Sequence, residues 1–286
     1  MQLDLVDVFA GNPLGGNPLA VVRGGESLSS EAMLALTRWL GFSETTFLLP
    51  PSDPGADYRL RIFYPAGELP FAGHPTLGSA LAWLIAGGRP NCAGMAVQEC
   101  GVGLIEVRIG EASAGVQRLA FRAPVLRRSG PLDADERVEA IRLAGVAPDA
   151  VLDAVHADNG PPWKLLRLRS AEDVLKAEPA ARTEEPADIG LIGPWATGAA
   201  KANGAGWELR AFFTKPGGIL AEDPVTGSLN AAAALYLMEA GLAQDDYIAA
   251  QGRCIGSDGR IFVSRDDGGV WIGGNVAMVA GGAQVI

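Results

Sequence analysis

Two similar segments of this sequence carry the side chains best suited to proton transfer. Each contains a polar residue followed by P-x-x-G-S, and this polar residue is His74 in the first segment and Asp223 in the second. An imidazole and a carboxylate are the groups that most often move protons in enzymes. We therefore expect the function to depend on the difference between the two segments.

The two segments belong to a duplicated half of the chain. A gapless shift of 149 positions places Leu60, Arg61, Phe63, Ala72, Pro75, Gly78, Ser79 and Ala82 on Leu209, Arg210, Phe212, Ala221, Pro224, Gly227, Ser228 and Ala231. Each copy has a strand-like run (60–63 and 209–213), a turn rich in Gly and Pro, and an apolar, Ala-rich helix (77–85 and 229–238). Such a repeat predicts two similar lobes that face each other.

Pro75 and Pro224 are interpreted as marks of the two helix N-termini, because proline is favoured in the first turn of a helix. Free backbone N–H groups make such termini binding sites for anions. Small residues nearby, among them Gly73, Gly227 and Ser228, would let a ligand reach the backbone. Two facing termini would hold a carboxylate. The alternative is a pair of ordinary core helices that begin with proline.

Composition limits the possible classes of protein. The 286 residues are 48% hydrophobic and 20% charged, which predicts a folded chain of one or two domains. A net charge of −10 is unfavourable for binding nucleic acid. The N-terminus does not resemble a signal peptide, and no apolar run is long enough to span a membrane, so we expect a cytoplasmic protein. Cys92, Cys100 and Cys254 form no C-x-x-C motif and are expected to act as small apolar residues.

The first lobe begins with a strand (3–9), a tandem G-N-P turn (11–18) that contains Asn17, and a second strand (19–22). A helix over 27–40 is predicted from its capping serines, its apolar spacing and the terminating Gly41. Glu44 follows, at the start of the next strand. Taken alone, Glu44 is typical of a solvated turn residue and the G-N-P turn is typical of simple turn chemistry.

The rest of the chain predicts a hairpin (97–99 and 104–109), an end of the first lobe near 112–128, and helices over 133–144 and 170–176. An acidic surface loop (184–188) precedes the second copy, and glycine-interrupted strands (251–263 and 270–285) follow it. We therefore expect an N-terminal lobe of residues 1–118, to which a terminal strand at about 274–286 returns, and a C-terminal lobe of residues 119–273. No linker separates the lobes, so they should pack as one unit.

The ordered motifs G-N-P-L-A-V-V, S-E-T-T-F, P-A-G-E-L-P-F-A-G-H-P-T-L-G-S and E-D-P-V-T-G-S resemble the PhzF-like proteins of phenazine biosynthesis. These proteins belong to the wider diaminopimelate epimerase superfamily. The resemblance covers nearly the whole chain. It implies an α+β fold of two pseudo-symmetric lobes, each a mostly antiparallel sheet or barrel wrapped around a central helix. It also implies a site in the cleft, no cofactor, and a homodimer.

The resemblance implies roles for individual residues. Glu44 occupies the position of the catalytic acid/base, and His74, Asp223 and Ser228 match the other site residues. We expect Asn17, Gly73, Gly227 and Ser228 to bind the substrate, and Asp223 to fix the tautomer of His74. The sequence departs from the family at Tyr64 and at residues 256–259, which leaves the substrate open.

These residues predict a cofactor-independent isomerase that moves a proton within a small carboxylated or cyclic metabolite, with Glu44 as the base. Two alternatives remain open: an epimerase that uses opposed bases, and a small-molecule binding protein of the same fold. A metal enzyme is disfavoured because the two histidines, His74 and His156, form no ligand motif. A serine hydrolase is disfavoured because neither G-S segment has the G-x-S-x-G pattern.

Overall fold

Spatial contacts divide the chain into two units. The computed structural model describes residues 1–266 and 268–285. The N-terminal unit consists of Met1–Arg122 and the residues from Gly273 onward, and the C-terminal unit consists of Ala123–Ile272. The predicted lobe boundary after residue 118 and the packing of the lobes as one unit stay predictions. No helix of the described residues is long and apolar enough to cross a membrane.

The N-terminal unit contains two helices and eight strands in addition to its share of the last strand. In chain order these elements are β1 (Gln2–Val8), β2 (Asn17–Arg23), α1 (Ser30–Leu40), β3 (Thr45–Leu49), β4 (Tyr58–Tyr64), β5 (Gly67–Leu69), α2 (Gly73–Ile85), β6 (Met95–Cys100), β7 (Gly103–Ser113) and β8 (Val116–Arg122).

The C-terminal unit repeats this plan after a leading strand and helix. Its elements are β9 (Arg128–Pro131), α3 (Ala134–Ala144), β10 (Val151–Asp158), β11 (Pro162–Leu168), α4 (Ala171–Leu175), β12 (Asp188–Pro194), α5 (Thr197–Asn203), β13 (Trp207–Lys215), β14 (Ile219–Asp223), α6 (Gly227–Glu239), β15 (Tyr247–Gln251), β16 (Gly259–Asp266) and the start of β17 (Gly269–Gln284). Short 3-10 helices span Pro148–Ala150 and Arg253–Ile255.

Eight strands of the N-terminal unit form a closed barrel. β1 pairs with β17 and with β2, both antiparallel. The path continues through β3, β4, β6, β7 and β8, and β8 closes the barrel by pairing with β17. The β2–β3 and β4–β6 pairs are parallel. The barrel leaves β5 outside its wall, as a hairpin partner of β4.

Helix α2 lies inside this barrel, in contact with β1, β2, β3, β4, β6, β7 and β8. Residues 73–82 are all buried, which explains why the helix is apolar on every side. Small side chains allow the strands to approach closely. A Cβ atom at Gly78 would lie 2.5 Å from Cδ2 of Leu19, so this position tolerates only glycine without rearrangement.

The C-terminal unit has the same strand pairing. The β10–β11 pair is antiparallel, β11–β12 is parallel, β12–β13 and β13–β14 are antiparallel, β13–β15 is parallel, and β15–β16 is antiparallel. The N-terminal unit shows the identical series from β1 to β7. Helix α6 is buried over most of its length, as α2 is. The structure thus confirms the predicted α+β fold of two similar lobes, each a sheet around a central helix.

The structure corrects the alignment of the two copies at the site. Phe63 pairs with Glu68 across the first hairpin, and Phe212 pairs with Glu222 across the second. The second hairpin is therefore five residues longer, and E-L-P-F-A-G-H (68–74) matches E-D-P-V-T-G-S (222–228). The counterpart of His74 is Ser228, and the predicted equivalence of His74 with Asp223 is wrong.

The predicted helix starts change for the same reason. Pro75 is the third residue of α2, whereas Pro224 stands three residues before the first residue of α6. The corrected alignment places Pro224 opposite Pro70. Pro75 thus lies in the first turn of its helix, as predicted, whereas the interpretation of Pro224 as a residue of a helix start is wrong. The two helices have in common that each begins with a glycine, Gly73 in α2 and Gly227 in α6.

Most helices predicted from capping signals are present. Helix α1 is capped by the side chain of Ser29 and ends at Gly41, which has a φ of 77°. It begins at Ser30, three residues after the predicted start. Helix α3 begins with a capping box between Asp133 and Glu136. The predicted short helix at 170–176 is α4.

Several elements were not anticipated by the sequence patterns, namely β8, β9, β12 and α5. In β12 the glycines interrupt the apolar pattern because neighbours come close: a Cβ at Gly190 would lie 2.2 Å from Cδ1 of Leu229. Asp188, predicted to lie in an acidic loop, is the first residue of β12. The predicted strand over 251–263 is interrupted by a 3-10 helix.

Each unit uses an arginine and a glutamate to join its hairpin strands. Arg61 donates to both carboxylate oxygens of Glu68 at 2.7 and 2.6 Å, and Arg210 donates to those of Glu222 at 3.1 and 2.7 Å. The first pair is partly exposed, with 19% and 41% side-chain exposure, whereas the second pair is 6% and 7% exposed.

The two arginine–glutamate pairs predict that the same Glu→Gln substitution lowers the free energy of unfolding by different amounts. Glu222→Gln leaves the buried Arg210 without an ionic partner and should lower the free energy of unfolding by about 3 kcal/mol. Glu68→Gln affects a solvated pair and should lower it by about 1 kcal/mol or less. Urea unfolding of both variants checks this difference. Equal losses would contradict the assignment of the second pair as buried and the first as solvated.

Candidate active site

Glu44 lies immediately before β3, next to the start of the central helix α2. The parallel pairing of Ala20 with Thr45 fixes the start of β3 in the barrel. The Oε2 atom of Glu44 is 3.4 Å from Nε2 of His74. The Glu44 side chain is 18% exposed, so the carboxylate is largely enclosed and yet retains contact with solvent.

His74 is the second residue of α2, and its ring is buried. Burial lowers the pKa of the imidazole to about 3, because a charged ring would lose its hydration. The His74–Glu44 contact is therefore a 3.4 Å approach of a carboxylate to a neutral ring, rather than an ion pair. A neutral imidazole has one N–H donor and one acceptor nitrogen.

The other ring nitrogen of His74 meets Asn17. Asn17 is the fully buried first residue of β2, and its Nδ2 atom lies 3.4 Å from Nδ1 of His74. Asn17, His74 and Glu44 thus form a continuous chain of three polar side chains. The sequence placed Asn17 among the residues that bind substrate, and the structure places its amide against the imidazole.

A buried carboxylate holds the turn that precedes Asn17. Asp7 Oδ1 accepts a hydrogen bond from the backbone N–H of Gly16 at 2.9 Å. Burial raises the pKa of Asp7, and the backbone N–H groups of the turn oppose that rise. A Cβ at Gly16 would lie 2.2 Å from the carbonyl oxygen of Val8, so glycine is required here. The predicted turn over 11–18 ends earlier in the structure, because Asn17 and Pro18 already belong to β2.

The first turn of α2 is supported from a neighbouring strand. Thr76 Oγ1 donates to the carbonyl of Ala72, the residue before the helix, at 2.9 Å. Gln98, fully buried in β6, donates from Nε2 to Thr76 Oγ1 at 3.1 Å. Ala72 has no polar side chain to cap the helix, so the backbone N–H groups at Gly73 and His74 are suited to an anionic ligand.

The corresponding residues of the C-terminal unit are Gly227 and Ser228, the first two residues of α6. The indole Nε1 of Trp163 donates to Ser228 Oγ at 3.1 Å, and Nδ2 of Asn159 donates to the Ser228 carbonyl at 2.8 Å. Trp163 is buried in β11. One side chain of the β10–β11 connection and one of β11 therefore fix the position of Ser228.

Asp223 ends β14, four residues before α6 begins. Its Oδ2 atom accepts a hydrogen bond from Thr226 Oγ1 at 2.5 Å. The buried Gln251 donates from Nε2 to Thr226 Oγ1 and to the carbonyl of Asp223, and its Oε1 atom accepts from Nδ2 of Asn230. This network holds residues 223–230 in one arrangement. The role of Asp223 in catalysis stays a prediction, as does its predicted effect on His74.

The three cysteines are free thiols, and two of them, Cys92 and Cys254, are exposed rather than acting as small apolar core residues. None belongs to the hydrogen-bonded groups around His74 or Ser228. In the part of the chain that the structure describes, no three His, Cys, Asp or Glu side chains are grouped so as to hold a metal ion.

Comparison with known proteins identifies the family. A family profile for phenazine biosynthesis-like proteins matches residues 6–282. The chain belongs to this PhzC-PhzF family. A structure described as a predicted epimerase from Pseudomonas aeruginosa is 29% identical, and the alignment covers 100% of this chain and 99% of that one with a TM-score of 0.78.

Two curated relatives match over shorter stretches. Antisense-enhancing sequence 1 of Schizosaccharomyces pombe is 36% identical over 178 residues, which are 61% of this chain and 60% of that protein. Trans-2,3-dihydro-3-hydroxyanthranilate isomerase of Pseudomonas aeruginosa is 51% identical over 78 residues, which are 27% of this chain and 28% of the isomerase. The alignments thus span less than two thirds of either relative. A homodimer and a cytoplasmic location stay predictions.

Some residues of this PhzC-PhzF site were missed from sequence. Asp7, Gln98, Trp163 and Gln251 support the site residues but belong to no motif that bears on chemistry. The available signal is a polar residue inside an otherwise apolar strand, as in M-A-V-Q and Y-I-A-A-Q. Such residues, when buried, must find hydrogen-bond partners, and here the partners are the helix starts.

The buried imidazole predicts a pH dependence of stability. Histidine in an unfolded chain has a pKa near 6.5, whereas burial lowers that of His74 to about 3. As the pH falls below about 6.5, the unfolded state takes up a proton that the folded state does not, so the free energy of unfolding decreases. This contribution is fully present above about pH 6.5 and is lost progressively down to about pH 3.

The variant His74→Asn should therefore show a weaker rise of unfolding free energy between pH 5 and pH 6.5 than wild type does. Asp188 and Glu208 act in the opposite direction, because burial raises their pKa values to about 6 and about 7. The comparison between variant and wild type cancels their effects. Urea unfolding over a pH series is the measurement, and His156→Asn is the control. Parallel curves for wild type and His74→Asn would refute the neutral buried ring.

Proposed function

We propose that this protein is a cofactor-independent isomerase that moves a proton within a small cyclic carboxylate, with Glu44 as the general acid/base. The observation that carries the proposal is the enclosed Glu44 carboxylate at 3.4 Å from a buried, neutral His74. Family membership supports the reaction class, since a relative 51% identical over part of the chain is named as an isomerase.

The proposed reaction has two proton transfers. Glu44 removes a proton from a carbon of the substrate, and the electron pair of that C–H bond spreads into the adjacent unsaturated system. The protonated Glu44 then returns the proton to a different carbon, and the double bond shifts accordingly. Hydrogen donors placed where negative charge develops lower the barrier to the first step. No net oxidation occurs, so an isomer is formed.

Binding of the substrate is assigned to the starts of the central helices. The backbone N–H groups of Gly73 and Gly227, with the Ser228 hydroxyl, are donors of the type that binds carboxylates. Asp223 is a candidate for binding an amino or hydroxyl group of the substrate. The substrate class is taken from the relative whose name contains dihydro-hydroxyanthranilate, a cyclic carboxylate.

An epimerase is the second candidate, because a structure that matches the full length of this chain is described as a predicted epimerase. An epimerase that moves a proton between opposite faces of one carbon needs two bases. His74 is a poor second base, since burial keeps its ring neutral and makes the protonated form unfavourable. The neutral ring therefore counts against His74 as the second base, and Asp223 is the other candidate for that role.

The first test removes the proposed base. With trans-2,3-dihydro-3-hydroxyanthranilate as the substrate, Glu44→Gln should lower kcat by about 10²–10⁴-fold, because an amide cannot accept the proton. Ligand affinity, measured by calorimetry, should change little. The matched control is Glu136→Gln, because Glu136 Oε2 lies 3.0 Å from Nε2 of the other histidine, His156. An active Glu44→Gln variant would exclude Glu44 as the base. Wild type without turnover would exclude this substrate.

The second test follows the proton. In heavy water, a carboxylic acid that the bound substrate shields from solvent exchanges its proton slowly, so part of the product should retain protium from the substrate at the new C–H position. Mass spectrometry after a single turnover measures this fraction. In a two-base epimerase the returned hydrogen comes from a base that has equilibrated with solvent. Complete deuteration with inversion at one carbon would therefore replace the isomerase by the epimerase.

A further inference from the structure

Asn17 contacts His74 on the side of the ring opposite to Glu44. The sequence assigned Asn17 to the substrate and assigned control of the His74 tautomer to Asp223. We propose instead that Asn17 is a positioning residue that fixes His74 as the Nε2–H tautomer, so that the ring N–H of His74 faces the carboxylate of Glu44. The catalytic meaning of this arrangement rests on the proposed role of Glu44, whereas the tautomer itself does not.

The first step concerns Nδ1. The amide nitrogen of Asn17 is only a donor, and it lies 3.4 Å from Nδ1 of His74. Nδ1 must therefore be the acceptor nitrogen, without a proton. Asn17 is fully buried as the first residue of β2, and the turn before it is tied to the Asp7 carboxylate through Gly16. The donor is thus held in place by the barrel wall.

The second step concerns Nε2. A carboxylate oxygen is only an acceptor, and Glu44 Oε2 lies 3.4 Å from Nε2. A bare Nε2 would place its lone pair against that oxygen, so the approach favours a proton on Nε2. This conclusion follows from Glu44 alone, and it agrees with the conclusion drawn from Asn17 alone. The opposite tautomer would oppose two N–H donors at Nδ1 and two acceptors at Nε2.

The C-terminal unit contains a similar contact between a buried N–H donor and the second residue of its central helix, formed by different residues. Ser228 is the counterpart of His74, and the donor that it meets is the indole N–H of Trp163, 3.1 Å from Ser228 Oγ. Both donors stand at the beginning of a strand, Asn17 as the first residue of β2 and Trp163 as the second residue of β11. In each case an enclosed N–H group occupies the acceptor site of the helix residue, which leaves that residue's own N–H or O–H to act as a donor.

In the proposed reaction, Glu44 and His74 then have different roles. A neutral Nε2–H group stabilises the ionised form of Glu44, which is the form that removes a proton from carbon. His74 then has no acceptor nitrogen on the side of Glu44 and does not compete with it as a base. The His74 ring thus places a neutral N–H group next to the Glu44 carboxylate. It carries no charge and exchanges no proton with the substrate.

Nitrogen NMR tests the tautomer directly, without substrate. The chain has only two histidines, so imidazole ¹⁵N labelling gives two ring systems, and the variant His156→Gln assigns them. We expect His74 in wild type at neutral pH to show a protonated Nε2 and a bare Nδ1. A proton on Nδ1, either in the other tautomer or in a charged ring, would overturn the proposal.

The variant Asn17→Asp then replaces the donor by an acceptor of nearly the same shape. Nδ1 of His74 should gain a proton, whether the ring changes tautomer or becomes charged between two carboxylates. The control is Asn275→Asp, a half-buried asparagine whose Nδ2 contacts the Ala10 carbonyl instead, and it should leave Nδ1 bare. An unchanged Nδ1 in Asn17→Asp would refute the role of Asn17.

The wild-type spectrum decides the tautomer even if Asn17→Asp fails to fold, and Asn17→Leu then tests the loss of the donor. Turnover separates this proposal from the proposed function. If Glu44→Gln is inactive and the tautomer is as expected, Asn17→Asp should lower kcat at least about tenfold while KM changes little, since the base is affected rather than substrate binding. If Glu44→Gln is active, the tautomer result still stands as a test of Asn17.

Discussion

A helix enclosed by strands can meet a ligand only at its ends, and this constraint governs the structure. Residues 73–82 of α2 are buried, so the helix offers its backbone N–H groups only at the first turn. Polar side chains inside the barrel must then be satisfied internally, because an unpaired buried polar group costs about 1–3 kcal/mol. Gln98 and Gln251 meet this need by binding the polar residues one turn into each helix. The same contacts hold the helix starts where the proposed chemistry occurs.

The sequence predicted the fold class well because the duplication is visible in the strand that leads to each site. It did not predict the register at the site, since a gapless shift takes no account of hairpin length. The five additional residues between Phe212 and Glu222 displaced the alignment, and Asp223 was compared with His74 instead of with Leu69. Cross-strand pairing, which fixes the true register, is a property of three-dimensional structure and leaves no mark in either segment alone.

The sequence predicted some residues of the candidate site and missed others. Glu44, His74 and Asn17 were identified from motifs, and the structure brings these three together in the N-terminal unit. The supporting residues Asp7 and Trp163 could not be found from sequence, because each acts through a contact with a residue distant along the chain. Strand β12 was missed because its glycines interrupt the apolar run expected of a buried strand.

The two units show how one backbone plan accepts different side chains. The residue one turn into the helix is Thr76 in one unit and Asn230 in the other, and both donate to the carbonyl of the residue that precedes the helix. The arginine that joins the hairpin strands is partly exposed in one unit and buried in the other. The two units therefore share the direction of these hydrogen bonds, although different residue types form them.

The closing strand of the N-terminal barrel has a consequence for how the protein is made. Gln2 pairs with Gln284, so β1 finds one of its two neighbours only after the whole C-terminal unit, Ala123–Ile272, has been synthesised. Until then β1 has an open edge, and the barrel around α2 remains incomplete while the whole C-terminal unit is synthesised. Contacts of such long sequence separation slow folding and prolong the exposure of apolar strands. The biogenesis of this enzyme therefore depends on keeping an unfinished sheet edge from pairing with other chains.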